Sequence, residues 1–474
     1  MSLIKSISGI RGTIGGQPGK NLTPIDIMDS ICGYGALLKQ KYPDRKIQVI
    51  VGRDSRVSGE MVKDLVIGLL LSQGLNVIDI GLASSPTVEM AVKQKEAQGG
   101  IIITASHNPS GWNALKLLNE RGEIFSAAEG GEALKLIEEN IFDFVPENNL
   151  GSYVFNPFLA SDHLQAILSL PLVERKAIAA SQFKIVVDGI NSVGGMVVPE
   201  LLKMLGLKNI IELNCEPNGK FAHRPEPLAE NLGQISRAVR ENKADLGIVV
   251  DPDVDRLAFI DENGEMISEE YTLVMIADYI LGNFPTVEAA YPGKYEKTTS
   301  SNFSSSRALR DIAEKHGGRY EAAAVGEINV VERMKELRAA IGGEGNGGVI
   351  FAPLHYGRDA LVGIALFLSV LAKSGEKASI FSQRFPKYFM VKDRLELKPE
   401  TDWPAILLLA KEYYASSGEV NDVDGLKIDW PDSWIHLRAS NTEPIIRIYA
   451  EAESEALAAQ RVAELKNKIL AYIK

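Results

Sequence analysis

The stretch IVVDPDVDRLAFIDENG, residues 248–264, sets Asp251, Asp253 and Asp255 at alternate positions between two apolar runs. Like charges held that close repel, so the loop calls for a cation. An EF-hand calcium loop is the first candidate, because Glu262 stands at its twelfth position. That reading fails at the sixth position, where the turn needs glycine and the chain has Arg256. Leu257-Ala258-Phe259-Ile260 reads instead as a strand, so the carboxylates leave the end of one strand and enter another. The competing reading is three solvated turn aspartates.

Outward from this loop, the same order of apolar run and polar loop recurs in IQVIVGRDSR (47–56), GGIIITASHNP (99–109) and FKIVVDGINSVGG (183–195). Helical patterns such as SGEMVKDLVIGLLLSQG (58–74) and MVVPELLKMLG (196–206) alternate with these runs. Alternation of this kind predicts α/β layers with parallel or mixed sheets, and ligands gather at the carboxyl ends of such strands. The last hundred residues change character. Two strand-like runs, WIHLRAS and PIIRIYAEA, precede a closing amphipathic helix, which reads as a small α+β unit. Breaks fall in PENNLGSY (146–153), near DENG (261–264) and around AKSGEK (372–377). The expected units are therefore 1–150, 151–266, 267–374 and 375–474.

A length of 474 residues suits roughly three or four domains of about 100–150 residues. The net charge of −11 argues against a nucleic-acid binder, whose footprint would be basic. Two distant cysteines, Cys32 and Cys215, make neither a disulfide framework nor a zinc site, so a reducing compartment is expected. The start, MSLIKSISGIRG, lacks the apolar core of a signal peptide, and ALVGIALFLSVLA (360–372) is too short to span a bilayer. The reading is a soluble cytoplasmic protein without a membrane or nucleic-acid partner.

Three further loops carry polar groups. GEGNGG (343–348) matches a dinucleotide pattern but leads into VIFAP, where no helix can start, so it is not a nucleotide loop. It offers a close-approaching backbone with Glu344 and Asn346. TASHNPSGWNALK (104–116) sets Ser106 on a surface turn after a strand, among His107, Asn108, Asn113 and Lys116. A serine there is by default a turn former. Phosphorylated, it would add charge and acceptor oxygens, and one such oxygen with the three aspartates would satisfy magnesium. RASNTEPIIRIYAE (438–451) places Arg438 and Arg447 around a Ser-Asn-Thr turn, which suits a phosphate dianion or, in the bland case, a solvated hairpin.

In this order, TASHNP, DPDVDR, GEGNGG and RASNTEP resemble the four loops of the α-D-phosphohexomutases. SGIRG (8–12), VGRDSRVSG (51–59), PEPLAENL (225–232) and VGEINVVERM (325–334) extend the resemblance over the whole chain. It implies four domains around a central cleft: three similar α/β domains with mixed sheets and a C-terminal α+β domain, each contributing one loop. It implies a reversible mutase that moves a phosphoryl group between the 1- and 6-positions of a hexose phosphate through a 1,6-bisphosphate. Ser106 would be the phosphoserine, and it would hold one Mg²⁺ per chain with Asp251, Asp253 and Asp255. Arg11, His107, Lys116 and Arg256 would lie near the transferring phosphate. Glu344 and Asn346 would hold sugar hydroxyls, and Arg438, Ser440, Asn441, Thr442 and Arg447 the other phosphate. Hexose 1,6-bisphosphate would act as activator.

The chain departs from the family pattern in reading Asn346-Gly347-Gly348 where relatives often have Ser-Gly-His. That leaves the general acid/base open; His355 is a candidate substitute, with a structural histidine as the alternative. The loop form favours phosphoglucosamine over phosphomannose and phosphoglucose. A metal-dependent phosphatase and a non-catalytic phosphosugar-binding protein are the rival functions, and the assembly is a monomer or a homodimer.

Overall fold

The apolar run at 99–103 forms the strand Gly99–Ile103 in the middle of a seven-stranded mixed sheet. It runs parallel to Gln48–Arg53, which pairs in parallel with Asn76–Leu82. On its other side Trp112–Leu118 and Gly9–Thr13 pair antiparallel. Alternation along these strands sorts the side chains onto two faces. Val49, Val51, Ile101 and Ile103 meet the helices Pro24–Lys41 and Gly59–Ser72, while Ile50, Ile78 and Ile102 meet the helix Ser85–Gln94. These are coordinates of a computed structural model, which describes residues 2–6, 9–139, 141–396, 402–439 and 445–473.

The aspartate loop joins the strands Leu246–Val250 and Leu257–Ile260, which pair antiparallel with Val250 opposite Leu257. Leu246–Val250 is also parallel to Lys184–Asp188, in a five-stranded sheet. In the third unit Ala339–Glu344 runs parallel to Glu296–Asn302 and turns back into Gly348–Phe351. The fourth sheet, in the order Phe389–Glu396, Ile445–Ala452, Ser433–Ala439, Leu426–Asp429, Glu419–Asn421, is antiparallel throughout. The helices Trp403–Tyr414 and Glu455–Ile473 cover one face of it.

The second and third units share one apolar core. Ile185 and Ile248 of one sheet and Ile341 and Ile350 of the other pack in a single cluster with the helix Ala360–Ser374. That helix is the apolar run at 360–372, buried inside the protein. No helix among the described residues is long and apolar enough to cross a membrane.

Two unit edges differ from the sequence reading. Tyr153–Phe155, assigned there to the second unit, pairs in parallel with Asn76–Leu82 and so closes the first sheet beyond residue 150. Phe381 and Phe385, assigned to the fourth unit, belong to the shared core, with Phe381 edge-on to Phe367. In the first case the chain adds an exposed, hydrogen-bonded edge strand to the preceding sheet past the break, and in the second it goes on burying apolar surface in the preceding core.

Candidate active site

Ser106 follows the strand Gly99–Ile103 with φ +47°, a left-handed conformation uncommon outside glycine. Its amide donates to Thr104 Oγ1 at 2.9 Å, and the Thr104 hydroxyl donates to Asp54 Oδ2 at 2.6 Å. Arg56 fixes the rest of the loop. Its Nη1 donates to the Pro109 and Trp112 carbonyls and its Nη2 to those of Ser106 and Asn108, at 2.5–2.9 Å, while Nε meets Asp54 Oδ2 at 3.0 Å. The expectation of a surface turn is corrected: Ser106 is only 3% exposed, because the aspartate loop of the second unit lies over it.

The Ser106 hydroxyl donates to Asp251 Oδ2 at 3.0 Å and stands 3.3 Å from His107 Nδ1. Asp251, Asp253 and Asp255 are buried, and one carboxylate oxygen from each lies within 4.8 Å of the others. Val254, a β-branched residue at φ +63°, marks the sharp bend that turns all three inward. Lys116 lies 2.7 Å from Asp253 Oδ2 and 3.3 Å from Asp255 Oδ2. Arg358 meets Asp255 Oδ2 at 2.7 Å.

The electrostatics split the triad. Burial, then Asp255 and Asp253, push the Asp251 carboxyl well above the usual carboxylate range. Asp255 is held below its ordinary value, since Arg358, Lys116 and Arg256 outweigh its burial. Burial would lower Lys116, but Asp253 and Asp255 raise it, so it stays charged. His107 is driven well below its ordinary value by burial, Arg256 and Arg11, so its imidazole is neutral. Asp253 Oδ1 and Asp255 Oδ1 are buried without a hydrogen-bond partner. Orphaned carboxylate oxygens in a buried acidic triad fit a hard cation bound through oxygen.

The third loop packs directly on the second. The Leu257 amide donates to the Gly347 carbonyl at 3.0 Å, and a Cβ on Gly347 would lie 2.3 Å from the Leu257 carbonyl oxygen. Only glycine permits that approach. Glu344 accepts from Asn302 at 2.7 Å and from Arg358 Nη1 at 2.9 Å. Asn346 accepts from the Gly348 amide at 3.1 Å. Sequence reading missed Arg358, which joins the acidic loop to the GEGNGG loop, and Arg56.

Arg358 also accounts for the absent histidine. A Cβ on Gly348 would lie 2.4 Å from the Arg358 Cδ, so the arginine stem fills the room a histidine there would need. His355 does not replace it. Its Nε2 faces Asp359 Oδ2 and its Nδ1 faces Glu89 Oε2, each at 3.2 Å, which is a buried structural arrangement.

Between the first and fourth units opens a cavity of about 570 Å³, lined among others by Arg11, His107, Glu226, Arg394, Arg447 and Tyr449. Arg11 donates to Asn108 Oδ1 at 3.0 Å, and Arg256 meets Glu226 Oε1 at 2.9 Å. Arg438 and Arg447 sit directly opposite one another on paired strands. Ser440, Asn441 and Thr442 lie outside the described residues.

Four α/β and α+β units that bring a buried serine, an acidic triad and a cationic cleft together define a phosphohexomutase. Family models for phosphoglucomutase/phosphomannomutase match in all four parts: the α/β/α domains I, II and III at 3–143, 161–264 and 268–388, and the C-terminal domain at 400–468. A phosphoglucomutase/phosphomannomutase of Thermococcus kodakarensis is 36% identical over 463 residues, covering 97% of this chain and 98% of its own. A phosphoglucosamine/phosphogalactosamine mutase of Sulfurisphaera tokodaii is 31% identical over 469 residues, covering 98% and 99%. A crystal structure of a phosphoglucomutase/phosphomannomutase family protein from Burkholderia thailandensis matches with TM-score 0.81 at 25% identity, covering 98% of this chain and 96% of that one. The chain belongs to the phosphoglucomutase/phosphomannomutase family, and is a hexose-phosphate mutase.

Proposed function

We propose that the protein interconverts the 1- and 6-phosphates of a hexose by way of phospho-Ser106 and a 1,6-bisphosphate, with glucosamine as the preferred sugar. The observation that carries this reading is the meeting of Ser106 Oγ, the orphaned carboxylate oxygens of Asp253 and Asp255, and the Lys116 ammonium in one buried spot. The phosphoryl group leaves Ser106 Oγ for a hexose hydroxyl oxygen, and the hydroxyl proton is taken by a base. The intermediate turns over, and its other phosphate returns to Ser106.

Neutral His107, 3.3 Å from Ser106 Oγ, suits the proton acceptor, whereas Lys116 stays charged and suits the developing charge on the transferring group. Asp251, Asp253 and Asp255, with Ser106, would hold one Mg²⁺. That ion supplies neutralisation of phosphoryl oxygens when bound. Glu344 and Asn346 would orient the ring through its hydroxyls, and Arg438 and Arg447, with Ser440, Asn441 and Thr442, would grip the phosphate that is not reacting. Escape of the bisphosphate would leave a dephosphorylated enzyme, so added hexose 1,6-bisphosphate would restore activity. The two free thiols, Cys32 and Cys215, support a reducing, cytoplasmic setting.

The relatives' names support more than one sugar, so phosphomannose and phosphoglucose are the alternatives. A coupled assay over the three hexose phosphates ranks them, and free phosphate measured against isomerised sugar separates a mutase from a phosphatase. Intact mass is expected to show one phosphate on the wild type and none on Ser106→Ala, with turnover lost. Substantial mutase activity in Ser106→Ala would remove the phosphoserine from the mechanism.

A further inference from the structure

The seven-stranded sheet of the first unit ends on one side at Tyr153–Phe155, which pairs with Asn76–Leu82 and, among the described residues, with no strand beyond it. The inner bonds fix which way its backbone points. The Val77 amide donates to the Ser152 carbonyl at 2.8 Å, and the Asn156 amide donates to the Asp79 carbonyl at 2.8 Å. Bonding direction alternates along a strand, so Val154 also faces inward. Tyr153 and Phe155 each turn an N–H and a C=O outward.

An open edge is a template for another strand, and native edges are blunted by charged side chains or by proline within the strand. This edge has neither. No Asp, Glu, Lys or Arg occurs from 148 to 161, in a chain whose net charge is −11. Leu150, Tyr153, Val154, Phe155 and Phe158 are instead all exposed, Phe158 by 77%. The Tyr153 hydroxyl donates to Asp79 Oδ2 at 3.0 Å, which holds its ring at the edge. The three rings leave on the order of 300–450 Å² open to water, a size at which apolar patches are often functional.

We infer that this edge is the contact of a homodimer, in which two copies of Tyr153–Phe155 pair antiparallel about a two-fold axis at Val154. Tyr153 then stands opposite Phe155 of the partner subunit, and the two exchange both of their outward bonds. The axis repeats that pair, so four backbone bonds form and two tyrosine–phenylalanine pairs lie on one face. Val154 meets its own copy in the position without backbone bonds, where side chains come closest. Leu150 and Phe158 lie four residues to either side of Val154, so the same axis brings each to the other's end of the ribbon. A second copy fits this edge for reasons of charge as well as register. Two chains of net charge −11 repel where their acidic surfaces meet, and the uncharged stretch lets them approach without setting like charges together. The rings supply about half of the roughly 800 Å² that each partner gives to a stable interface, and the strand backbone and its polar flanks add to it.

Sedimentation equilibrium of the full chain tests this over roughly 1–100 µM, a range that populates any dimer with Kd near 1 µM. The wild type should show twice the mass of one chain. Val154→Lys and Val154→Asp each set a like charge against its own copy, and each should weaken dimerisation about 100-fold or more. Val154 is about half exposed, so both variants should fold, as checked by circular dichroism and by mutase turnover at the wild-type level. If either fails that check, Phe158→Ser is measured instead, with dimerisation expected to weaken about tenfold. An equimolar mixture of the lysine and aspartate variants should recover the two-chain mass, because an axis at Val154 then pairs opposite charges. A wild type that stays monomeric at about 100 µM overturns the dimer and leaves the edge to a strand of a different protein. A dimer that Val154→Lys leaves intact, or a mixture that stays monomeric, overturns the pairing about Val154.

Discussion

Replacing Arg56 by lysine keeps the positive charge and removes the fork, which makes it the sharpest test of how the serine loop is held. Arg56 is 1% exposed and directs four N–H groups at four carbonyls, with a fifth contact at Asp54. An ammonium has three donors on one atom, and it cannot reach Asp54 and both pairs of carbonyls together. At least two charge-assisted bonds are lost, at roughly 1.5–3 kcal/mol each, which suggests a destabilisation of about 3–5 kcal/mol after allowing for non-additivity. In a unit of this size that corresponds to a fall in the thermal midpoint of roughly 6–20 °C. The kinetic effect should be larger than stability alone explains. The Ser106 carbonyl is one of the four acceptors, and a displacement of about 1 Å at a reacting group costs about 100-fold. Thermal scanning and the coupled mutase assay, run at a temperature where the variant is fully folded, separate the two effects. If Arg56→Lys melts within about 2 °C of wild type and turns over within threefold of it, the fork does not position the serine.

Asp251→Asn should raise the thermal midpoint of the metal-free protein, because it relieves the repulsion that pushes Asp251 up, and should abolish both turnover and the stabilisation given by added Mg²⁺. Chelation should inactivate the wild type reversibly. Gly348→His should cost both stability and turnover by displacing Arg358 from Asp255 and Glu344, read by a melt and the coupled assay. Burial alone would lower His355, but hydrogen bonds to Asp359 and Glu89 raise it from 6.5 to about 9. Its contribution is then complete below pH 6.5 and lost as pH rises through about 9, on the order of 3 kcal/mol. Melts of wild type and His355→Gln across that window should converge at the alkaline end.

What the sequence displayed and what it concealed differ in a physical way. The clustering of the acidic triad was legible because its signal is local: three like charges within five residues, flanked by strand-forming runs, repel one another unless a cation sits among them. The helix at 360–372 was legible because an all-round apolar helix must be buried. Arg56 and Arg358 were not, since their partners lie elsewhere in the chain. Arg56 binds backbone carbonyls about 50 residues away, and a carbonyl leaves no mark in a sequence. Arg358 reaches Asp255, 103 residues earlier. The burial of Ser106 was hidden for the same reason, because its covering loop belongs to another unit. The edge strand Tyr153–Phe155 is three exposed residues long, so neither length nor alternation announces its pairing.

The acidic triad also explains why the site is distributed over several units. Left to the second unit, three buried carboxylates would meet Arg256 alone. Lys116 comes from the first unit and Arg358 from the third, and only with both does Asp255 remain ionised beside its neighbours. The short segment from His355 to Ala360 makes that convergence rigid. His355 faces Glu89 of the first unit, Arg358 enters the triad, and Asp359 caps the helix Ala360–Ser374 through the Leu361 and Val362 amides. The Ala360 amide donates to the Val254 carbonyl at 3.1 Å, at the strained bend of the aspartate loop. The helix it begins lies in the core shared by the second and third units, so the burial that holds these units together also holds the triad closed. The fourth unit has its own core and docks differently, through Arg307, whose guanidinium donates to the carbonyls of Trp430, Pro431 and Ser433. A polar dock of that kind gives way more readily than a shared apolar core. The acidic triad and the serine are thereby fixed to the shared core, while the fourth unit is held to them by polar contacts.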